Sequence, residues 1–371
     1  MSIFKRALSF LAVVVITALS FKAVSLPSVY GAVTNLACIS ALMLMPEGAT
    51  DVVNARYESL EADIEIQPVL ENEIIKNKVS TSQTINSADS EKADGDSTVQ
   101  TSTSVDNMVG SIIDKAFLPY TANTAYSNIY INNKSGVDLD IESELLADYN
   151  LKLNQSDDPQ VLIYHTHTTE AFILEDRDYY TDSDFSRSTN NAQNVVAVGN
   201  VLAKRIEDMG FKVLHDTTVH DYPKYDGSYS RSSDTINKNL SENPSIKIII
   251  DLHRDAISSG DTDKIAPTIE INGKKAAQVM LVMGSQTGSI TDYPNWKENL
   301  HLAMRLQQTF EVMYPSLARS MQLSSGKYNQ NLCSGAMLIE IGTEVSTLDE
   351  ALYSGELVGT ALGSLFNTLK E

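Results

Sequence analysis

Aliphatic runs alternate with amphipathic helical segments along the carboxyl-terminal part of the chain. Each run is short and bounded by polar turns, as buried strands are. The runs are Gln160–Tyr164, Phe211–Leu214, Lys247–Leu252, Gln278–Met283 and Ala336–Ile341. Helical periodicity falls at residues 194–209, 295–313 and 347–369, and the last segment opens with a capping-box spacing. This alternation predicts an α/β domain of three layers, in which helices flank a mostly parallel sheet.

The residues before this domain have a different composition. No aromatic residue lies between Tyr57 and Phe117, and residues 80–104 are dominated by Ser, Thr, Asp and Gln. Such a segment cannot bury enough apolar surface to offset the entropy lost on ordering. We therefore predict a disordered linker at 61–120 and a catalytic domain at 121–371.

The amino terminus has the pattern of a membrane anchor. Lys5 and Arg6 precede the uncharged apolar run Ala7–Phe21, and apolar residues continue to Leu26. We predict a cytoplasmic segment at 1–6, one uncleaved transmembrane helix at 7–26 and a juxtamembrane segment at 27–60. The remainder then lies outside the cell membrane. A cleaved signal peptide is an alternative, and a second span within Ala23–Met45 would reverse this topology.

The charge and cysteine content exclude some classes of function. The net charge of −20 disfavours nucleic acid or an anionic bilayer as the main ligand. The only two cysteines, Cys38 and Cys333, have neither metal-ligand spacing nor the pattern of a disulfide framework.

Three predicted strand ends carry histidines or carboxylates. His165, His167 and Glu170 follow the strand that ends at Tyr164. His253, Arg254 and Asp255 follow the strand that ends at Leu252, and Glu340 interrupts the last aliphatic strand. Ligands of open α/β sheets gather beyond the carboxyl ends of the strands, so we expect these side chains at one site.

The residue types fit a catalytic zinc site. Such a site takes three ligands from His and carboxylate and keeps one position for water. His167, Glu170 and His253 are the predicted ligands. Glu340, in an otherwise apolar strand, is the predicted proton acceptor and donor.

Structural explanations compete with these roles. A lone His-x-x-Glu occurs by chance, His253 is explained equally by hydrogen bonding in the core, and Glu340 by an ion pair with Arg254 or Arg319. The conjunction of four such residues at strand ends favours the metal site. For His165, Arg254 and Asp255 we predict supporting or substrate-contacting roles, and a dinuclear site that includes His165 stays open.

Four segments resemble the stage II sporulation protein P family. They are Val161–Phe172, Asp251–Ala256, Tyr328–Gln330 and Leu338–Gly342, within a resemblance that covers residues 125–371. The resemblance implies a fold similar to zinc N-acetylmuramoyl-L-alanine amidases and, more distantly, to zinc carboxypeptidases. On the matching positions it implies that His167, Glu170 and His253 bind the metal and that Glu340 is catalytic.

The same resemblance implies a biological role. It implies amidase cleavage of peptidoglycan during forespore engulfment, with possible endopeptidase activity on cross-links. It also implies work in the septal intermembrane space beside the sporulation lytic transglycosylase (stage II sporulation protein D) and its membrane scaffold. A zinc carboxypeptidase-like peptidase acting on proteins or peptides is the nearest alternative, and a non-catalytic envelope-binding module is another.

Overall fold

The structure is a computed structural model that describes residues 108–153, 156–184, 186–288 and 290–370. These residues belong to the second of two compact units, Asp106–Glu371. The strands are β1 (Met108–Asp114), β2 (Thr124–Tyr126), β3 (Ile129–Asn133), β4 (Val161–Tyr164), β5 (Tyr179–Thr181), β6 (Val213–His215), β7 (Ile248–Asp255), β8 (Ser258–Ser259), β9 (Asp263–Ala266), β10 (Thr268–Ile271), β11 (Lys274–Ala277), β12 (Val279–Ser285), β13 (Met321–Ser325) and β14 (Ala336–Thr343). The α-helices are α1 (Ile141–Leu146), α2 (Val195–Asp208), α3 (Ser228–Glu242), α4 (Trp296–Met313) and α5 (Leu348–Thr368).

Eight strands form the central sheet, in the order β2-β3-β13-β12-β14-β7-β4-β6. Five of the seven neighbouring pairs are parallel. The antiparallel pairs are β2 with β3 and β12 with β14. The predicted α/β fold is therefore confirmed, and β4, β7 and β14 are neighbours at its centre.

Helices cover both faces of the sheet, which explains the unbroken aliphatic strands. Successive side chains of a strand point to opposite faces. In β4, Val161 and Ile163 pack in the larger core, which includes residues of α2, α4 and α5. Leu162 and Tyr164 pack on the other face, where α3 contributes Ile236. A strand buried on both faces has no solvent-facing positions for polar residues.

Side-chain caps mark the beginnings of two helices. Asn194 accepts a hydrogen bond from the Val196 N–H at 2.9 Å and caps α2. Thr347 and Glu350 form the predicted capping box of α5, since each side chain accepts from the backbone N–H of the other residue.

A second, smaller sheet lies in the order β5-β1-β9-β8. Its strand β1 falls within the residues that the sequence assigned to the linker. Ile112 of β1 packs with Ile173, Ala266 and Val345, so this short apolar segment is part of the globular unit. The described fold therefore begins before residue 121.

The expectation of a single-pass protein of the cell membrane is corrected by the structure. No helix within the residues described above combines the length and the apolarity needed to cross a bilayer. The predicted anchor at 7–26, the juxtamembrane segment at 27–60 and the linker up to residue 107 lie outside the described residues.

Candidate active site

The carboxyl ends of β4, β7 and β14 bring the predicted site residues together. His167 and Glu170 lie in the turn after β4, and His253 lies near the end of β7. Glu340 of β14 pairs in register with His253. These four residues line one cleft of about 450 Å³. A volume of this size is typical of small-ligand sites, which measure about 300–1,000 Å³.

Glu170 and His253 form a buried ion pair. Nδ1 of His253 lies 3.3 Å from Oε2 of Glu170, which also accepts a hydrogen bond from the Arg254 N–H at 3.1 Å. Burial alone would raise the pKa of Glu170, but the charges of His253 and Arg254 outweigh burial and lower it. Burial alone would lower the pKa of His253, but Asp251 and Glu170 outweigh burial and raise it. Without a metal ion, a protonated imidazole therefore balances the carboxylates.

Asp251 holds the other nitrogen of His253. Its Oδ1 lies 2.8 Å from Nε2 of His253. The contact is ionic rather than a directed hydrogen bond, because Nε2 has no aligned acceptor among the described residues. The Asp251 carboxylate accepts hydrogen bonds from the N–H and the hydroxyl of Thr166 at 2.8 and 2.7 Å. Two fixed donors therefore set the position of the group that faces the histidine.

His167 presents a free nitrogen to the interior. Its ring stacks on Tyr225 with centroids 4.5 Å apart, and its Nε2 lies 3.1 Å from the tyrosine oxygen. Its Nδ1 is buried and has no hydrogen-bond partner in the described part of the chain. When the N–H lies on Nε2 and points to Tyr225, Nδ1 carries the lone pair that a metal requires. The ring also lies 5.4 Å from that of His253, centroid to centroid.

Glu340 carries a buried carboxylate oxygen at the floor of the cleft. Its Oε2 has no hydrogen-bond partner among the described residues. Burial raises the pKa of Glu340 to about 8, and the neighbouring Glu170 adds to the increase. The register of β14 on β7 shifts directly after this residue, and Gly342 supplies the required positive φ of 65°.

The structural explanations of Glu340 do not apply within the described residues. Arg319 pairs with Asp255 at 2.9 Å. The guanidinium of Arg254 donates to backbone carbonyls, that of Ser186 among them. Neither arginine forms an ion pair with Glu340 in this part of the structure.

The side chains of the cleft offer the donor types that a zinc ion binds. Imidazole and carboxylate are zinc ligands, and the free Nδ1 of His167 is the type of atom that such an ion needs. As the side chains stand, no three His, Cys, Asp or Glu residues of the described ranges converge on one point. Nδ1 of His253 and Oε2 of Glu170 lie 3.3 Å apart, which matches the spacing of roughly 3.3 Å between two ligand atoms of one tetrahedral zinc ion. The residue types, the free nitrogen and the spacing of the Glu170–His253 pair fit zinc, and binding requires that the Nδ1 proton of His253 leave.

The structure places His165 away from the cleft. Its Nδ1–H donates to the Leu252 carbonyl at 2.8 Å, and its Nε2 lies 2.8 Å from Nε2 of His215. Burial lowers the pKa of His165 to about 3, which keeps the ring neutral. Both ring nitrogens are engaged, so the contacts favour a packing role over a second metal site. Asp255 does line the cleft, whereas the side chain of Arg254 supports the loop that carries Ala171 and Ser186.

Sequence reasoning missed four residues around the site. Asp251, Tyr225, Tyr229 and Tyr328 gave no signal of their own, although Asp251 and Tyr328 lie within the segments that carry the family resemblance. Tyr229 and Tyr328 line the cleft. Tyr328 and Asn329 both adopt a positive φ, and the Asn329 side chain donates to the Tyr229 carbonyl at 2.9 Å, which joins this turn to α3.

The fold and the site define an α/β protein with histidines and carboxylates at the carboxyl ends of its central strands. The model of the stage II sporulation protein P family matches residues 41–363, so the chain belongs to this family. The chain is also 30% identical over 212 residues to stage II sporulation protein P of Bacillus subtilis (strain 168). That match covers 54% of this chain and 49% of the relative, so the chain spans about half the length of the relative it matches.

Two amidases are among the solved structures that match part of this chain. The CwlD amidase of Clostridioides difficile, solved in complex with the GerS lipoprotein, is 12% identical with a TM-score of 0.35. The similarity covers 57% of this chain and 98% of that one. An N-acetylmuramoyl-L-alanine amidase of Clostridium difficile 630 is 17% identical with a TM-score of 0.31, and the similarity covers 57% of this chain and 96% of that one.

Proposed function

We propose that this protein is a zinc-dependent peptidoglycan hydrolase, which cleaves the amide bond between N-acetylmuramic acid and L-alanine. The observation that carries the proposal is the meeting of His167, Glu170, His253 and Glu340 in one cleft. Two of these side chains present buried polar atoms without partners among the described residues, His167 Nδ1 and Glu340 Oε2. Burying an unpaired polar group is costly, so such atoms mark positions that serve a ligand or a reaction.

The proposed ligands of zinc are His167, Glu170 and His253. When bound, zinc polarises a carbonyl oxygen and lowers the pKa of a water molecule towards about 7. His253 must first lose its Nδ1 proton, because only a neutral imidazole can bind a cation. Nε2 keeps its proton, and the Asp251 carboxylate 2.8 Å away then keeps the neutral ring in place.

Glu340 is the proposed proton carrier. A general acid or base works best when its pKa lies near the working pH, and burial moves the pKa of Glu340 in that direction. The carboxylate accepts a proton from the attacking water and returns it to the leaving nitrogen of the amide. Its position on β14 pairs it in register with the proposed ligand His253 on the neighbouring strand.

Other residues of the cleft are suited to hold the substrate. Tyr229 and Tyr328 provide aromatic surface for an apolar sugar face, and Arg319 and Gln322 provide donors for amide or carboxylate oxygens. Aromatic surface beside hydrogen-bond donors suits a glycan that carries a peptide.

Family membership supports the wider setting. We propose that the protein acts in forespore engulfment, beside the sporulation lytic transglycosylase and its scaffold. An amidase releases the peptides and a transglycosylase cuts the glycan strands, so the two activities together dissolve the polymer. Endopeptidase activity on peptide cross-links is a further part of this proposal.

Mass spectrometry of digested sacculi tests the proposed bond. We expect the full-length chain to release peptides with a free L-alanine amino terminus and to leave muramic acid with a free lactyl carboxyl. A chelator should stop the release, and added zinc should restore it. Release of intact muropeptides only, or cleavage that persists in chelator, would contradict the proposal. Parallel digestion of casein separates it from a general zinc peptidase, which would cut both substrates.

A further inference from the structure

A second pocket lies beside the catalytic cleft and begins at Ala171, the residue after Glu170. Its volume is about 330 Å³. Its apolar wall includes Phe172 and Ile173, and its polar wall includes Arg177 and Glu344. Nothing in the proposed chemistry uses these residues.

Glu344 brings a buried carboxylate oxygen to this pocket. One oxygen, Oε1, pairs with the Lys264 ammonium at 3.1 Å, and the side chain is only 9% exposed. The other oxygen, Oε2, is buried and has no hydrogen-bond partner among the described residues. A buried carboxylate oxygen in this position is an acceptor for an N–H donor, best a cationic one.

Arg177 brings a buried donor to the same pocket. Its Nη2 pairs with Asp184, and its guanidinium lies over the Tyr179 ring, 5.1 Å from the centroid. These contacts fix the plane of the group. Its Nε is buried and has no acceptor in the described part of the chain. The guanidinium nitrogens are donors only, so the Nε–H group can be paired by an acceptor on a ligand, such as a carboxylate oxygen.

The charges of the pocket favour a ligand with a cationic group. Three carboxylates line it, Glu175, Asp184 and Glu344, against the cation of Arg177 in the lining and that of Lys264, which pairs with Glu344. A ligand with only a carboxylate would be repelled by this excess of negative charge. A ligand with only an ammonium would leave Arg177 Nε without an acceptor. A ligand that carries both an ammonium and a carboxylate would offer a partner to each of the two atoms.

We propose that this pocket binds a zwitterionic amino-acid group of the substrate, with its ammonium on Glu344 and its carboxylate on Arg177. The identity of the substrate as a peptidoglycan stem peptide rests on the proposed function, but the binding chemistry does not. The group belongs to the free end of a diamino dicarboxylic residue in the peptide. Binding of this group in the pocket positions the amide bond of the same substrate at the cleft.

Arg254 connects the two sites structurally. Its backbone N–H donates to Glu170 Oε2 at 3.1 Å, and its side chain donates to the Ala171 carbonyl at 3.4 Å and to the Ser186 carbonyl at 2.6 Å. The same residue therefore supports the proposed metal ligand Glu170 and a wall of the second pocket.

Titration calorimetry with three tripeptides tests this proposal. The full-length chain is used in chelator, and the third residue of L-Ala-γ-D-Glu-X is diaminopimelate, its distal N-acetyl form or lysine. The lysine peptide lacks the distal carboxylate, and the acetylated peptide lacks the distal ammonium. We expect diaminopimelate to bind about tenfold or more tighter than either of the other two. Equal affinity for all three peptides overturns the proposal.

Two variants identify the atoms. Glu344→Gln and Arg177→Lys should each lower the affinity for the diaminopimelate peptide about tenfold. Each should also remove most of the difference in affinity between this peptide and its two analogues. Arg177→Lys keeps the positive charge but lacks the Nε–H. The exposed carboxylate of Glu356 on α5 provides the control, and Glu356→Gln should bind as the wild type does. If both pocket variants still prefer the diaminopimelate peptide as strongly as the wild type does, the proposal is wrong. The comparison of the three peptides on the wild-type protein tests the proposal even if a variant misfolds.

The sacculus digestion separates this proposal from the proposed function. If sacculi are cut at the amide but the three peptides bind alike, the hydrolase stands and the pocket proposal is wrong. If diaminopimelate is preferred and Glu344→Gln removes the preference while no amide is cut, the pocket stands and the hydrolase is wrong.

Discussion

Asp251 Oδ1 lies 2.8 Å from His253 Nε2, and both side chains are almost completely buried. Asp251 also accepts two hydrogen bonds from Thr166. The acidic group is therefore fixed by β4 and its turn, while the histidine belongs to β7. This contact sets which nitrogen of His253 faces the cleft.

Replacing Asp251 should weaken metal binding more than it weakens the fold. Asp251→Asn keeps the size of the side chain and can still accept one of the two hydrogen bonds from Thr166, but it removes the charge that faces His253. We expect zinc affinity to fall about 10–100-fold, as for other residues that orient metal ligands. Competition with a chromophoric chelator measures the change, and a thermal melt checks the fold.

A second aspartate on the same strand gives the control. Asp255 pairs with Arg319 instead of a proposed ligand. Asp255→Asn should therefore change zinc affinity far less than Asp251→Asn. Equal losses in the two variants would show that net charge, and not the contact with His253, determines the affinity.

The hydrogen bond between Tyr225 and His167 should have a smaller effect. Tyr225→Phe removes the hydroxyl but keeps the ring that stacks on the histidine. The tyrosine is 52% exposed, so water can replace the lost partner. A loss of about 0.5–1.5 kcal/mol corresponds to roughly a 2–10-fold weaker zinc affinity. Tyr225→Ala should lose more, since it also removes the stacked ring, and equal affinities in the two variants would assign no role to the stacking.

Glu340→Gln should separate chemistry from metal binding. The glutamine keeps the shape of the side chain but cannot carry the proton. We expect near-normal zinc content and a rate of sacculus digestion lowered by about 10²–10⁴. Loss of zinc from the Glu340→Gln variant would show that Glu340 is a metal ligand. Near-normal turnover would place the base elsewhere, and Asp255, which lines the same cleft, is the next candidate.

Glu311 on α4 should make stability depend on pH. Burial raises the pKa of Glu311 to about 7, although it accepts a hydrogen bond from Ser316 N–H. The folded state therefore binds more protons than the unfolded state between pH values of about 4.5 and 7, and the contribution of this residue to stability falls as the pH rises through that range. Glu311→Gln should raise the melting temperature relative to wild type more at pH 8 than at pH 5. A pH-independent difference would contradict the assigned burial.

The sequence predicted the elements whose patterns are local. Strands β4, β7, β12 and β14 are recognisable as largely aliphatic runs because both faces of the sheet are covered. The α5 capping box depends on four consecutive residues, and the structure has it where the spacing predicted it. Helix α3 was missed because its buried face is largely small and polar, with Ser228, Ser232 and Asn239 beside Ile236.

The sequence predicted the site only to the extent that it predicted where the strands end. The positions of His167, Glu170, His253 and Glu340 follow from strands that lie side by side, and the structure brings all four to one cleft. The contact of Asp251 with His253 depends on the orientation of the histidine ring. The contact of Tyr225 with His167 depends on a loop whose path the sequence does not specify. The ion pair of Glu170 with His253 was not expected, because it results from two proposed ligands that satisfy each other.

Zinc content measured together with activity tests the central claim most directly. The account predicts about one zinc per wild-type chain by inductively coupled plasma mass spectrometry. His167→Ala and His253→Ala should each lose both the metal and the digestion of sacculi. A normal circular dichroism spectrum of each variant would show that the two losses do not result from unfolding. Retention of stoichiometric zinc in both variants, or digestion without zinc, would contradict the account.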